Sequence, residues 1–447
     1  MQVTVFCIGT QGDVRPFVAL GRGLARAGHG VRVATSREFA PLVTAAGLDF
    51  APLTANFRDI MTTEPDAMTH GLNPLSVAEV ARRRLKEAAP AWVAEGRAAA
   101  HDSGLLIGTG ISTLLAEALA DALAKPFVQA QIMPMTPAPD LPPMMLTPPR
   151  RPLPGPVNLL LYQALRLLTW RLMSPAMNDV VRRGLGVRRH PWYGPYFTRS
   201  AERRRILYCF SRHVVPKPAG WSARDAITGY WFHDEGARWQ PPADLIAFLA
   251  AGPKPIYVGF GSMVSSDAER FTRAVLDAIR QSGQRAVLAL GWGGLAELRG
   301  TLDTERVFVI EQAPHDWLFP RMALAVHHGG AGTTAAAARA GIPSVVVPFF
   351  GDQPFWAWRL RQVGVAAPPL ARRGLTAAAL AEAIAAAGEP RMQARAAGLG
   401  RRVRSEDGIA TAIATLQDWG LLPGGPVLAP ADAERRGPAA PIELPAE

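Results

Sequence analysis

Residues 323–356 read ALAVHHGGAGTTAAAARAGIPSVVVPFFGDQPFW. An apolar run closes on His327 and His328. Gly329, Gly330 and Gly332 follow, and Thr333 and Thr334 open an alanine-rich stretch that reaches residue 340. A second apolar run at 344–348 leads through a turn into a helical pattern at 353–363. Strand, glycine turn, helix and strand in this order make a βαβ unit. A chain of such units folds as an α/β domain around a parallel sheet. The free N–H groups and positive dipole end at the start of the alanine helix favour an anion. Glycines let the backbone approach that anion, and His and Thr add donors. Taken alone, the same residues also suit a tight strand-to-helix turn beside a core histidine, and both readings stand at this point.

The same alternation extends in both directions. Strands are expected at 255–260, 286–290, 307–310, 324–328 and 344–348, with helices at 267–281, 331–340, 353–363 and 376–388. In the first half, strands are expected at 2–9, 31–35, 104–107 and 126–131, with helices at 17–28, 76–100 and 111–123. Continuous apolar runs are the mark of parallel strands covered on both faces. A proline-rich loop, 134–156, interrupts this order, because proline fixes φ and removes a donor. The oily segment 157–173 carries Arg166 and Arg171 and is short for a membrane span, so it reads as a helix. A polar stretch at 233–243 reads as a linker between two α/β halves. The Pro, Ala and Gly of 421–447 predict a disordered tail.

Composition narrows the function classes. Of 447 residues, 49% are apolar and 19% charged, which excludes a disordered chain. The only cysteines, Cys7 and Cys209, cannot build a disulfide framework or a zinc site, and they read as packing thiols in a reducing compartment. The net charge is +11, and it is lopsided. Residues 1–225 hold 27 basic and 16 acidic residues, whereas residues 226–447 hold 21 of each. Nearly all the cations are arginine, a bias that GC-rich coding alone produces. No aromatic-interleaved basic motif accompanies the charge, so nucleic acid is not the expected partner. No cationic region precedes the apolar start at residues 2–9, so a secretory signal is not expected. The expected location is cytoplasmic. The clusters Arg82–Arg84, Arg150–Arg151, Arg182–Arg183, Arg188–Arg189 and Arg203–Arg205 offer two readings: a solvated face, or peripheral docking at the anionic inner face of a membrane.

The pair HHGGAGTT and PFFGDQPFW, at this spacing, together with GTQGDVRPFVALGRGL at 9–24, resembles the signature of the GT-B family 1 glycosyltransferases, the UDP-glycosyltransferase superfamily. The resemblance covers roughly residues 1–420. It is nearest to the sterol-glucosyltransferase-like and antibiotic or natural-product branches. It implies two Rossmann-like domains facing each other across a cleft. Residues 1–232 would bind the acceptor, 233–243 would link, and 244–420 would bind a nucleotide sugar.

The resemblance also implies roles for residues. His328 would bind the donor diphosphate, with Thr333 and the amides of Gly330 to Gly332 completing the cradle. Asp352 and Gln353 would hold the sugar hydroxyls; Asp352 also suits an N-cap of the helix that follows. Ser262, ending a glycine turn, would face the diphosphate or cap a helix. Gln312 and Ala313 match the base-reading loop. Plant relatives carry a stacking tryptophan where Gln312 stands, which leaves backbone bonds from Ala313. His315 beside them reads as a capping or surface histidine. Asp13, in a G-x-x-G-D-V-x-P pattern after the first strand, would be the general base; by itself it suits a helix start before Pro16.

The implied reaction is inverting transfer of a hexose from a nucleotide diphosphate sugar to the hydroxyl of a lipophilic acceptor. UDP-glucose is the expected donor, with dTDP sugars the alternative. No cluster has metal-ligand spacing, so no metal and no cofactor are expected. The acceptor site would draw on the loop 55–75, on Met133, Met135, Met144 and Met145, and on Leu159, Leu160, Tyr162, Leu165, Leu168 and Trp170. That stripe equally suits ordinary core. The competing readings are a nucleotide-sugar epimerase of the same fold and a non-catalytic binding or partner protein.

Overall fold

The computed structural model describes residues 1–55, 74–149, 151–198, 202–261, 268–289 and 303–424. The expectations for Ser262, Arg150, most of the loop 55–75 and nearly all of the tail 421–447 lie outside these residues.

Seven strands, β1 (Gln2–Phe6), β2 (Gly30–Thr35), β3 (Asp49–Pro52), β4 (Leu105–Gly108), β5 (Phe127–Gln131), β6 (Ile206–Tyr208) and β7 (Asp225–Ile227), form one parallel sheet. Their order is β3-β2-β1-β4-β5-β6-β7. Apolar side chains on both faces explain the continuous runs in the sequence. One face packs Val3, Val5, Leu105 and Ile107 against Phe17, Leu20 and Leu24 of α1 (Gln11–Arg26) and Val43 of α2 (Ala40–Ala45). The other packs Phe6, Ala34 and Leu106 under α3 (Pro74–Ala100), α4 (Thr113–Leu123) and α5 (Gly155–Ala176).

The second sheet comprises β8 (Ile256–Gly259), β9 (Ala286–Ala289), β10 (Val307–Ile310), β11 (Ala325–His327) and β12 (Ser344–Val346), in the order β10-β9-β8-β11-β12. On one face lie α6 (Ala243–Ala250), α8 (His315–Leu318) and α9 (Ala331–Ala340). On the other lie α7 (Ala268–Ser282) and α11 (Ala377–Ala387). The chain also forms α10 (Gln353–Val363), α12 (Pro390–Arg404) and α13 (Gly408–Asp418). The two doubly wound domains match the architecture that the resemblance implies.

In open parallel sheets, ligands bind beyond the carboxyl ends of the strands where the strand order reverses. In the first sheet that point lies between β1 and β4. The loop after β1 holds Gly9 to Asp13. In the second sheet it lies between β8 and β11, so Gly261 and His328 flank the same crevice. Topology alone therefore places two predicted residues at the two switch points.

The domains are joined by more than the linker. Tyr208, Phe210, Val214, Trp221 and Tyr230 of the first domain share one apolar cluster with Phe355, Trp356, Leu360, Leu399 and Val403 of the second. The polar stretch 233–243 is held from both sides. Glu235 pairs with Arg15, Asp234 pairs with Arg339, and the Gly236 amide donates to Asp316 at 2.7 Å.

Three local differences from the sequence expectation matter. First, β1 ends at Phe6 and α1 already begins at Gln11, not at residue 17. Gly9, at φ +151°, turns the chain within three residues. Second, β6 and β7, only three residues long, are not among the expected strands: β6 opens the short apolar run Ile206–Phe210 directly after three arginines, and β7 (Asp225–Ile227) has no apolar run of its own. Third, α13 falls inside the expected range of the second domain, yet Ala412 and Leu416 are buried in the core of the first. Its apolar face crosses back onto α1.

Candidate active site

The donor side of the crevice is built on β8, β11 and α9. The His328 ring sits in a slot between two glycines. A Cβ on Gly261 would lie 3.3 Å from Cε1, and one on Gly330 would lie 2.5 Å from Nε2. Gly261 also holds φ +63°, where a side chain is strained. Burial pushes the His328 imidazole down to about 4, so it is neutral near pH 7. Its Nδ1 is buried and finds no protein partner among the described residues. A neutral imidazole still donates one N–H to an anion. By contrast, His327 is fully buried, and its Nδ1 accepts from the Gly329 amide at 3.1 Å. It is the core histidine of the pair.

Gly330 is the N-cap of α9 and has no side-chain cap. The first-turn amides are therefore open to a ligand, apart from that of Ala331, which bonds Asp352. Thr333 is half-buried at this mouth, and Gly332 is exposed. Thr334 is fully buried, and its Oγ1 has no protein partner among the described residues.

Asp352 precedes α10. The indole Nε1 of Trp356, one turn on, donates to its Oδ2 at 2.8 Å. Burial raises the carboxyl to about 6, and the negative charge of Asp13 raises it too; the Trp356 bond opposes both. Its side chain does not cap the helix, so the N-cap reading is correct for position and not for chemistry. Gln353 is buried, and its Oε1 accepts from the amides of Phe349 at 2.7 Å and Phe350 at 3.2 Å. That oxygen is committed to shaping the turn beside Asp352.

Across the cleft, Asp13 lies in the first turn of α1, three residues after the N-cap Thr10. Its Oδ2 accepts from the Thr10 amide at 2.7 Å and from Thr10 Oγ1 at 2.9 Å. This is the reach-back half of a capping box. The sequence reading made Asp13 a helix start before Pro16; the structure moves it into the first turn of the helix and gives the cap to Thr10. Burial raises the Asp13 carboxyl, and the two Thr10 bonds oppose the shift. Gly9 is required beside it, because a Cβ there would lie 2.4 Å from Asp13 Oδ2.

The two halves meet at glycines. A Cβ on Gly332 would lie 3.9 Å from the Cα of Gly12. Ala331 packs against the core that includes Val14 and Phe17. Asp13, His328, Asp352 and the open end of α9 thus share one narrow crevice.

Gln312 and Ala313 follow β10, at the edge of the second sheet; Gln312 is exposed and Ala313 half-buried. His315, read as a capping or surface histidine, stacks on Phe319 with ring centroids 4.3 Å apart. Burial, with Arg15 and His328 nearby, pushes it down to about 4. It therefore belongs to the crevice wall. Thr10 and Trp356, which hold the two carboxylates, were also missed. The spacings T-x-x-D and D-x-x-x-W were the available signals, at one helical turn each.

The acceptor-side candidates divide. Tyr162, Trp170 and Met144 are buried core, Leu160, Leu168 and Met145 are exposed, and Met133 packs where two clusters join. Among the described residues, no group of three or more His, Cys, Asp or Glu could hold a metal ion. Among them, too, no helix is long and apolar enough to cross a membrane.

Comparison with known proteins identifies the family. Residues 3–138 match the glycosyltransferase family 28 N-terminal domain. Residues 273–410 match the C-terminal domain of proteins like erythromycin biosynthesis protein CIII. A sterol 3-beta-glucosyltransferase of Leptosphaeria maculans is 34% identical over 426 residues, covering 93% of this chain and 28% of that protein. A sterol 3-beta-glucosyltransferase of Arabidopsis thaliana is 32% identical over 422 residues, covering 92% of this chain and 67% of its own length. The chain therefore spans less than a third of the fungal relative. Among solved structures, the glycotransferase of kitacinnamycin superposes with a TM-score of 0.67 at 19% identity, over 94% of this chain and 99% of that one. The chain belongs to the GT-B glycosyltransferase family that includes the sterol 3-beta-glucosyltransferases.

Proposed function

We propose that the protein transfers a hexose, glucose by preference, from a uridine diphosphate sugar to the hydroxyl of a lipophilic acceptor such as a sterol, polyketide, carotenoid or hydroxy-lipid, with inversion at the anomeric carbon and without a metal or cofactor. The observation that carries this reading is the convergence of Asp13, His328 and Asp352 on one crevice between two sheet switch points. His328 and the first-turn amides of α9 hold the diphosphate, which lets the leaving charge build on fixed donors. Ser262, outside the described residues, completes that cradle in this reading, and the loop of Gln312 and Ala313 meets the base. Asp352 accepts from the sugar hydroxyls, beside the turn that Gln353 shapes.

Asp13 is the base. Thr10 occupies its Oδ2, which leaves Oδ1 to take the acceptor proton. The acceptor oxygen bonds to the anomeric carbon from the face opposite the diphosphate. The carbon–oxygen bond to the diphosphate breaks, the nucleoside diphosphate leaves with the electron pair, and the acceptor proton passes to Asp13. A raised carboxyl pKa makes that transfer more favourable. An epimerase would need an acid–base pair on one sugar carbon, whereas the two carboxylates here lie on opposite walls.

The working location is the cytoplasm, with the basic first half turned to the inner face of the membrane, where lipophilic acceptors concentrate. A donor–acceptor screen read by mass spectrometry tests the activity. Glycoside from UDP-glucose and an apolar alcohol is the expected product, lost in Asp13→Ala with donor affinity kept. Normal turnover by Asp13→Ala removes the base assignment.

A further inference from the structure

Helix α5 carries two opposed faces. Asn158, Tyr162 and Trp170 are buried, whereas Val157, Leu160, Ala164, Leu168 and Arg171 are exposed. These five recur every three or four residues and so form one stripe along the helix, while Leu159, 37% exposed, stands off it. Val157 is 41% exposed, Leu160 68% and Leu168 55%. No described segment covers this stripe.

Aromatic residues extend it. The Arg171 guanidinium lies 5.8 Å from the ring centroid of Trp192, which is 66% exposed. Trp192 meets Tyr193 edge-on, and Tyr193 meets Phe197, itself 44% exposed. An apolar ridge with tryptophan and tyrosine at one end has the composition of a membrane-interface element.

The charge of this region selects the partner. Between Asp140 and Glu202 the chain carries nine arginines and one carboxylate, Asp179. Arg189 pairs with that carboxylate, and Arg182 is buried against Asp121, so neither counts toward the surface charge. Arg151, Arg171 and Arg188 are exposed around the ridge. A second copy of the chain would bring the same positive charge and be repelled. An anionic surface is attracted, and each arginine near it adds to the attraction.

We propose that α5 and the Trp192–Phe197 segment form the surface through which the protein docks on an anionic lipid bilayer. The helix lies flat in the interface, with Leu160 and Leu168 among the acyl chains and the arginines at the phosphates. This rests on the membrane placement proposed above and names its surface; binding needs neither sugar donor nor acceptor, so its failure is distinguishable from failure of the transferase reading.

Co-sedimentation of the full chain with vesicles tests this. Wild type is expected to sediment with phosphatidylcholine–phosphatidylglycerol vesicles and not with phosphatidylcholine alone. Leu160→Asp with Leu168→Asp should lower binding by about tenfold or more, with UDP affinity unchanged, since both side chains already face water. Arg171→Glu with Arg188→Glu should lose the dependence on phosphatidylglycerol and salt. Three results overturn the proposal: binding by the double aspartate variant equal to wild type, equal binding to neutral vesicles, or no wild-type binding. A wild-type dimer in light scattering that the double aspartate variant dissolves would likewise overturn it, giving the ridge to a second copy.

Discussion

Asp13 of the first domain and Asp352 of the second interact across the interdomain cleft: the charge of Asp13 helps hold the Asp352 carboxyl near 6. Two carboxylates on opposite walls of a buried crevice repel, and the charge of Asp13 raises the affinity of Asp352 for a proton. Asp13→Asn removes that repulsion. The Asp352 pKa should then fall. The acid limb of UDP-glucose affinity, read by calorimetry against pH, should move to lower pH, because Asp352 stays ionised further down. Turnover in the same variant should drop by about 10²–10⁴-fold, the usual worth of a general base. An acid limb that stays in place would show that the two residues are not coupled.

The Trp356 indole acts on Asp352 in the opposite sense. Its N–H stabilises the ionised carboxylate and lowers its pKa. Trp356→Phe deletes that donor, so the acid limb of donor affinity should move to higher pH. The ring is also buried between the domains, 1% exposed, and the smaller side chain leaves a cavity. A stability loss of about 1–3 kcal/mol is expected in denaturant titration. Opposite pH shifts in the two variants would be hard to obtain from any general loosening of the cleft.

Much of this site was legible in sequence because its elements are local. A continuous apolar strand, three glycines and an alanine helix define residues 324–340 with no tertiary information. What escaped depends on distant packing. The range of α13 carried an apolar pattern, but nothing local showed that it would leave its own domain for α1. The three-residue strands β6 and β7 are fixed by neighbours in the sheet, not by their own length. His315 read as a capping or surface residue because its partners, Phe319 and Tyr257, gather from different elements. The leucines of α5 gave a stripe, but periodicity does not say which face looks outward. Asp13 was read in the right place for the wrong local reason, since Gly9 shortens the loop and brings the helix forward.

The slot around His328 predicts that a methyl group alone can disable donor binding. Gly330→Ala leaves the imidazole in the protein, yet its Cβ would stand 2.5 Å from Nε2 and must displace the ring. UDP affinity should fall by about 10–100-fold, close to the loss in His328→Ala, because each removes one hydrogen bond to an anion. The double variant should be scarcely worse than either single one, since both act on the same contact. Calorimetry on the three proteins reads this directly. Additive losses would mean that Gly330 acts through the α9 amides and not through His328.

The contact between α13 and α1 should govern stability rather than chemistry. A Cβ on Gly23 would lie 2.2 Å from Ile409 Cγ2 and 3.5 Å from Ile413 Cδ1. Ile409 branches at Cβ, so it cannot swing its methyl aside without a new rotamer or a shift of the helix. Gly23→Ala gains about 1 kcal/mol of helix propensity. Overpacking costs about 1–3 kcal/mol, so the net effect should be destabilising. Adding Ile409→Ala opens the space that the new methyl needs. The double variant should therefore melt higher than the sum of the two single losses predicts, by about 2–4 °C for each kcal/mol of coupling. UDP affinity should not change in any of the three proteins, because neither residue reaches the crevice. Simple additivity of the melting shifts would place Ile409 away from Gly23 and detach α13 from the first domain.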